Sequence, residues 1–487
     1  MRTIDTGLGR VAGLDPGGSL SFLGIPYAAA PVGGLRWMPP QPAPPWSGTL
    51  DATAYPRRSH QAPFPATLDS RVNPGEMSED MLYLNVWTAG VDGRRRPVLV
   101  YIHGGGFFGG SANDFDPTPF VRRHDVVVVA MNYRLGVFGF IDLSRIGPQY
   151  ADSLALGFQD QIAALRWVRE HIADYGGDPG NVTVNGVSAG AGSVLALMSA
   201  PSARGLFHKA AAFSPGEVAC ERPDLLSWFA AGAGSDERAV FEHLRSLSGA
   251  ELFRYAHERG TTKGAAVDGR VVVQPAHEAI RARVNPVPLL AGTCIDEGTM
   301  LVPTVAEDAN IDADALMSGL YPTIGGGDGG RYRAFLDAAL AGAPTRDRMV
   351  RAWYDYFRAP TLRAAQALAE IGMPAWVYSF EVPTPLPFGP THASDMAFAY
   401  NLFDSGQFAE GAFVGFHPNT AANRALAHLW SDTVARFMRA GDPNGPELPH
   451  WPAYTPATRA SLALRQAPVV VPQLDRADAL AGYGLAG

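Results

Sequence analysis

The chain has 487 residues, 47% of them hydrophobic and 10% aromatic, with a formal net charge of −8. That content supports a sizeable core, and the acidic balance argues against nucleic acid or an anionic membrane surface as a partner. No run approaches the roughly 18 apolar residues of a membrane span, the N-terminus MRTIDTGLGRV lacks the apolar segment of a signal peptide, and the two cysteines, Cys220 and Cys294, make no disulfide framework, so a cytoplasmic protein is expected.

Residues 20–27 (LSFLGIPY) read as a strand, followed by a proline-rich surface loop at 38–46. Residues 82–86, 97–102 and 126–131 read as further strands, and VVVVAM in the last is apolar enough to be buried on both faces. Residues 160–174 form an amphipathic helix, closed by Tyr175-Gly176-Gly177. A strand at 182–187, a helix at 189–200 and a strand at 210–213 follow. The stretches 217–265 and 300–370 are helical, rich in alanine and arginine, and read as cap-like insertions. Residues 286–292 and 375–381 are late strands, and 423–439 is a long helix. Strands alternating with helices predict an α/β fold, a mostly parallel sheet with helices on both faces. No repeat or disordered linker divides the chain, so residues 1–487 read as one domain.

Gly186-Val187-Ser188-Ala189-Gly190 joins the strand at 182–187 to the helix at 189–200. This G-x-S-x-G pattern describes a sharp strand-to-helix turn with a serine at its apex. Glycines two residues before and after the serine remove Cβ atoms that would collide, and the helix aims its first N–H groups at the serine. The pentapeptide alone also fits an ordinary small-residue junction. A serine hydroxyl is a weak nucleophile and needs a base, which in turn needs an orienting acid. In the α/β-hydrolase order the acid and then the base follow the serine. Downstream, Cys294-Ile295-Asp296-Glu297-Gly298 ends a strand and offers Glu297 or Asp296 as the acid. Gly389-Pro390-Thr391-His392 follows the next strand and offers His392 as the base. Upstream, Tyr101-Ile102-His103-Gly104-Gly105-Gly106-Phe107 leaves a strand with three glycines. The N–H groups of Gly105, Gly106 and Ala189 are the candidate oxyanion donors. Gly104 to Gly109 also matches G-x-G-x-x-G, but a dinucleotide fingerprint must open a helix, and the sequence here leads into a loop. No phosphate-binding or zinc-ligand spacing is present, and the chemistry requires neither metal nor cofactor.

Beyond these parts, motifs in fixed order run nearly end to end: FLGIPYAAAPVGGLRW (22–37), SEDMLYLNVW (78–87), YIHGGGF (101–107), NYRLGVFGF (132–140), ALRWVREHIADYGGDPGNVTVNGVSAGAGS (164–193), LFHKAAAFS (206–214), DEG (296–298) and GDPNGPELPHWPAYT (441–455). In them the chain resembles the type-B carboxylesterase/cholinesterase-like family of α/β-hydrolases, most closely its bacterial, para-nitrobenzyl-esterase-like members. The resemblance implies Ser188 as nucleophile, His392 as base, Glu297 rather than Asp296 as acid, and Gly105 and Gly106 in the oxyanion hole. It implies a serine hydrolase that cleaves small carboxylic esters through an acyl-enzyme. An acyltransferase or lactone-forming enzyme with the same triad is a second expectation, and a non-catalytic binding protein on this fold a third. Three departures stand out. The family usually has Glu before the nucleophile; Val187 is there instead, which implies that a buried second carboxylate near the base is missing. The two cysteines that secreted members bridge fall on Ser59 and Met81. The segment between them is short and lacks the tryptophan of choline esterases, so a choline ester specialist is not expected.

Overall fold

Short runs of valine, alanine and leucine, buried on both faces, build the sheet that carries everything else. The computed structural model describes residues 1–62, 75–218, 224–234, 236–260, 265–302, 317–404 and 416–485. The strands among them are β1 (Arg2–Thr6), β2 (Gly9–Gly13), β3 (Leu20–Pro26), β4 (Thr49–Asp51), β5 (Tyr83–Thr88), β6 (Arg96–Ile102), β7 (Val127–Met131), β8 (Gly177–Val187), β9 (Lys209–Phe213), β10 (Leu289–Cys294), β11 (Ala375–Phe380), β12 (Ser461–Leu464) and β13 (Val469–Val471). β1, β2 and β4 make a small sheet; the other ten make one sheet in the order β13-β12-β11-β10-β9-β8-β6-β7-β5-β3. From β7 through β12 every neighbouring pair is parallel. The pairings β7–β5, β5–β3 and β12–β13 are antiparallel. Parallel strands need crossovers that cover both faces, and accordingly all five residues of β7 are buried.

The longer helices are, in chain order, α1 (Leu156–His171), α2 (Ala189–Met198), α3 (Leu225–Ala233), α4 (Glu237–Ser246), α5 (Gly249–Glu258), α6 (Gly329–Ala339), α7 (Thr345–Glu370) and α8 (Ala421–Ala440). Their ends carry the expected chemistry. Asp236 accepts from the Ala239 amide (2.8 Å) to start α4, and Ser248 and Glu251 form a capping box on α5. α8 stops at Gly441, whose φ of 75° needs a residue without a Cβ. None of the helices among the described residues is long and apolar enough to cross a membrane.

The two helical stretches behave differently. α3 to α5 bury Leu226, Phe229, Phe241 and Leu244 against Trp37, Phe138 and Tyr150, in a core separate from the sheet. α7 packs directly on β10 and β11 and buries Leu362, Ala365 and Leu368 there, so it serves as a covering layer. Residues 303–316 and 261–264, which fall in the same stretches, lie outside the described residues, as does Cys220; Cys294 is a buried free thiol.

β8 begins at Gly177, ahead of the strand expected at 182–187, because Gly177 pairs with Arg96 before a register shift at Val98. β12 and β13, of four and three residues, are too short to show a period. The carboxyl ends of β6, β8, β9, β10 and β11 open on one edge, and ligands of open α/β sheets gather outside that edge.

Candidate active site

Ser188 stands between β8 and α2 with φ 58° and ψ −126°, a conformation that costs an ordinary residue about 1–3 kcal/mol. Three hydrogen bonds hold it. The Ser188 amide donates to the Phe213 carbonyl (3.0 Å), and the Ser188 carbonyl accepts from Gly192 (2.8 Å) and Gly216 (3.4 Å). The flanking glycines are sterically required. A Cβ on Gly190 would lie 2.0 Å from the Ile102 carbonyl oxygen, and one on Gly186 would lie 2.4 Å from the Gly190 carbonyl carbon. Gly104 touches the serine directly, since its Cβ would fall 3.0 Å from that of Ser188.

The run after β6 is as constrained. Gly105 has φ 108°, and a Cβ there would strike the Gly109 carbonyl oxygen at 2.2 Å; Gly106 has φ 64°. Among the described residues neither amide donates to another group, and Ala189 carries the first amide of α2, which has no intrahelical acceptor. His103 braces the run. Its Nδ1–H donates to the Gly104 carbonyl (2.8 Å), and its ring stacks on Tyr133 at 4.4 Å. Burial pushes its pKa down to about 4, so the ring is neutral. Gly104 to Gly109 leads into the short turn Ala112–Asp114 and not into a helix, so the requirement of a dinucleotide fingerprint is not met.

Of the two acids at the end of β10, Glu297 faces the histidine. Its Oε1 accepts from the Cys294 amide (2.8 Å) and from the Ser214 hydroxyl, and its Oε2 meets His392 Nδ1. Glu297 is fully buried. Asp296 is half-buried and lies against Gly389, with its amide bonded to the Pro390 carbonyl (3.2 Å). Thr391 fixes the histidine loop by accepting from the Thr299 hydroxyl (3.0 Å) and the Met300 amide (3.3 Å). His392 Nε2 is buried and makes no hydrogen bond to Ser188 or any other described residue. One face of the imidazole is covered by Phe357, with centroids 4.3 Å apart and planes 25° from parallel.

A second buried carboxylate is present after all, which corrects the expectation drawn from Val187. Val187 is buried among apolar residues, but Asp395, three residues past His392, is fully buried and takes the Tyr378 hydroxyl at 2.5 Å. Burial pushes its pKa up to about 6; Tyr378 opposes the rise, Glu297 adds to it and His392 subtracts from it. The folded protein therefore holds this proton up to about pH 6, while an unfolded Asp releases it near 3.8. The stabilising effect is complete below the lower value and is lost as pH rises through the higher. Asp395→Asn, which keeps an oxygen for Tyr378, is expected to raise stability at pH 8 by about 3 kcal/mol and to leave it nearly unchanged at about pH 3, below the unfolded value. Denaturant melts at the two pH values measure this.

Sequence reasoning overlooked Ser214, Asp395, His103 and Phe357. Ser214 had a usable signal as the first residue past the strand beside β8, and His103 lay within the glycine run itself. Asp395 follows His392 by three residues but carries no motif, and Phe357 becomes a neighbour of the site only through tertiary packing.

Comparison with known proteins gives a consistent result. The carboxylesterase family model matches residues 1–480. The chain is 32% identical over 479 residues to the para-nitrobenzyl esterase of Bacillus subtilis (strain 168), covering 95% of this chain and 94% of that one. It is 32% identical over 485 residues to the liver carboxylesterase of Sus scrofa, covering 89% and 83%. Among solved structures, a PNB esterase superposes with a TM-score of 0.87 at 28% identity over 99% of both chains. A carboxylesterase of Geobacillus stearothermophilus superposes with a TM-score of 0.85 at 34% identity, over 99% of this chain and 100% of the other.

Proposed function

The chain belongs to the carboxylesterase family and is an α/β-hydrolase that cleaves carboxylic esters, and we propose that Ser188, His392 and Glu297 are its catalytic triad. The observation that carries this reading is the Glu297–His392 contact, next to a strained serine at a helix N-terminus. Ser188 attacks the ester carbonyl while His392 Nε2 takes its proton; the hydrogen bond between them forms when substrate is bound. Glu297 holds the imidazole by Nδ1, which leaves Nε2 as the acceptor, and stabilises the imidazolium. Ser214 and the Cys294 amide keep the carboxylate in place. Negative charge on the former carbonyl oxygen falls to the amides of Gly105, Gly106 and Ala189; donors of this kind are each worth about 3–4 kcal/mol. His392 then protonates the departing alcohol, and a water activated by the same base releases the acid from the acyl-enzyme.

The substrate on this reading is a small ester, with water as acceptor and no nucleic acid or membrane partner. We place the enzyme in the cytoplasm. A mixing experiment with para-nitrophenyl acetate tests the scheme. Rapid release of para-nitrophenol, with intact-mass detection of one acetyl group per chain that disappears into acetate, is the expected result. Turnover without any covalent acyl species would overturn it.

A further inference from the structure

We propose that Phe357 is a positioning residue for the reaction, holding the plane of the His392 imidazole so that Nε2 stays aimed at the nucleophile. The proposal rests on the triad reading above. A single hydrogen bond at Nδ1 leaves an imidazole free to rock about that bond, and rocking swings Nε2 out of line. The Glu297–His392 contact is such a bond, and Nε2 has no described partner of its own. The constraint on the ring plane comes instead from the face of Phe357, 4.3 Å away and 25° from parallel.

The phenyl ring is itself held by two further rings. Trp353 stacks on it from the previous turn of α7, at 6.0 Å and 24°. Tyr356 packs edge-on at 5.1 Å and 79°. The Tyr356 hydroxyl donates to the Glu217 carbonyl (3.3 Å), and its ring lies 3.2 Å from where a Cβ on Gly216 would be. Gly216 donates to the Ser188 carbonyl, so the aromatic group spans from the turn of the nucleophile to the base.

The backbone beneath it is locked too. Arg358, the next residue, is fully buried; its guanidinium donates to the Tyr378 carbonyl (2.9 Å) in β11 and pairs with Asp475 (2.7 Å). Tyr378 in turn holds Asp395, in the loop of His392. Rotation of α7 about its axis is thereby prevented at the turn that carries Phe357. An ordinary pocket wall has no need for such a frame, whereas a plate that sets a ring plane does, because an error of about 1 Å in a reacting atom can cost about 100-fold in rate.

The experiment compares wild type, Phe357→Leu and Phe357→Tyr on para-nitrophenyl acetate and hexanoate, with active sites counted by a fluorophosphonate. For Phe357→Leu the expected result is a kcat per titrated site lower by about 10- to 100-fold on both esters, with KM within about twofold. Its rate of fluorophosphonate labelling should fall by the same factor, since that attack uses the same base. Phe357→Tyr, which restores an aromatic face, should recover most of the loss. A damaged fold would lower the number of titrated sites and not the rate per site. A loss confined to KM, or one that differs between acetate and hexanoate, would mark Phe357 as a pocket wall and overturn the proposal. So would an unchanged kcat, or no recovery in Phe357→Tyr. Failure of the triad reading would appear elsewhere, as turnover that survives Ser188→Ala in an otherwise wild-type chain.

Discussion

Ser188→Ala is expected to lower ester turnover by about 10⁴-fold or more while leaving stability unchanged. The loss follows from the chemistry, because no other hydroxyl occupies the turn between β8 and α2 and the oxyanion donors alone cannot form an acyl-enzyme. The unchanged stability follows from the backbone. Alanine also has a Cβ, so the strain of φ 58° and ψ −126° persists, and the three hydrogen bonds that hold residue 188 are made by main-chain atoms. Ser188→Gly separates the two effects. It should be equally inactive yet more stable by about 1 kcal/mol, since relief of the strain exceeds the added chain entropy of glycine. Initial rates on para-nitrophenyl acetate and denaturation midpoints of the three proteins give both quantities.

Asp475→Ala is expected to destabilise the protein by about 3–5 kcal/mol. Arg358 is fully buried and pairs through two bonds with Asp475 (2.8 and 2.7 Å). The same guanidinium reaches Thr293 in β10, Tyr378 in β11 and Ser461 in β12. Removing the carboxylate strands the buried cation beneath three neighbouring strands. The double replacement Arg358→Met with Asp475→Leu removes both charges and should recover most of the loss. The exposed pair Arg10–Asp5 (3.0 Å) is the control; both side chains are largely in solvent, and Asp5→Ala should change nothing measurable. Chemical denaturation of wild type and the three variants tests the order.

The Asp475 prediction shows what a sequence withholds. Arg358 and Asp475 are 117 residues apart, and nothing in local composition marks either as buried. Val182 to Val187 and Val127 to Met131 were legible because β-branched runs flanked by glycine and polar residues have few other uses. Ser188 and His392 were legible because each follows a strand in a fixed order, a pattern that one dimension can hold; the strand end at 294–298 marked Asp296 and Glu297 equally, and only the family resemblance told them apart. Asp395 and Phe357 were not legible. Asp395 sits in the first turn after the histidine loop with no motif around it. Phe357 lies on a helix that reads as part of an insertion and only in three dimensions covers β10 and β11. The expectation of a missing carboxylate failed for the same reason: Val187 removes one acid by sequence, while packing brings another, Asp395, near His392 from the following loop.

The central claim is that Ser188 is activated by His392 and Glu297 to attack an ester. Its most direct test is peptide mapping after treatment with a fluorophosphonate, on wild type, His392→Ala and Glu297→Gln. The account predicts one phosphonate per chain on the peptide that contains Ser188, with labelling slowed at least about 100-fold in both variants. Labelling at a different residue, or at Ser188 with undiminished rate in His392→Ala, would contradict it.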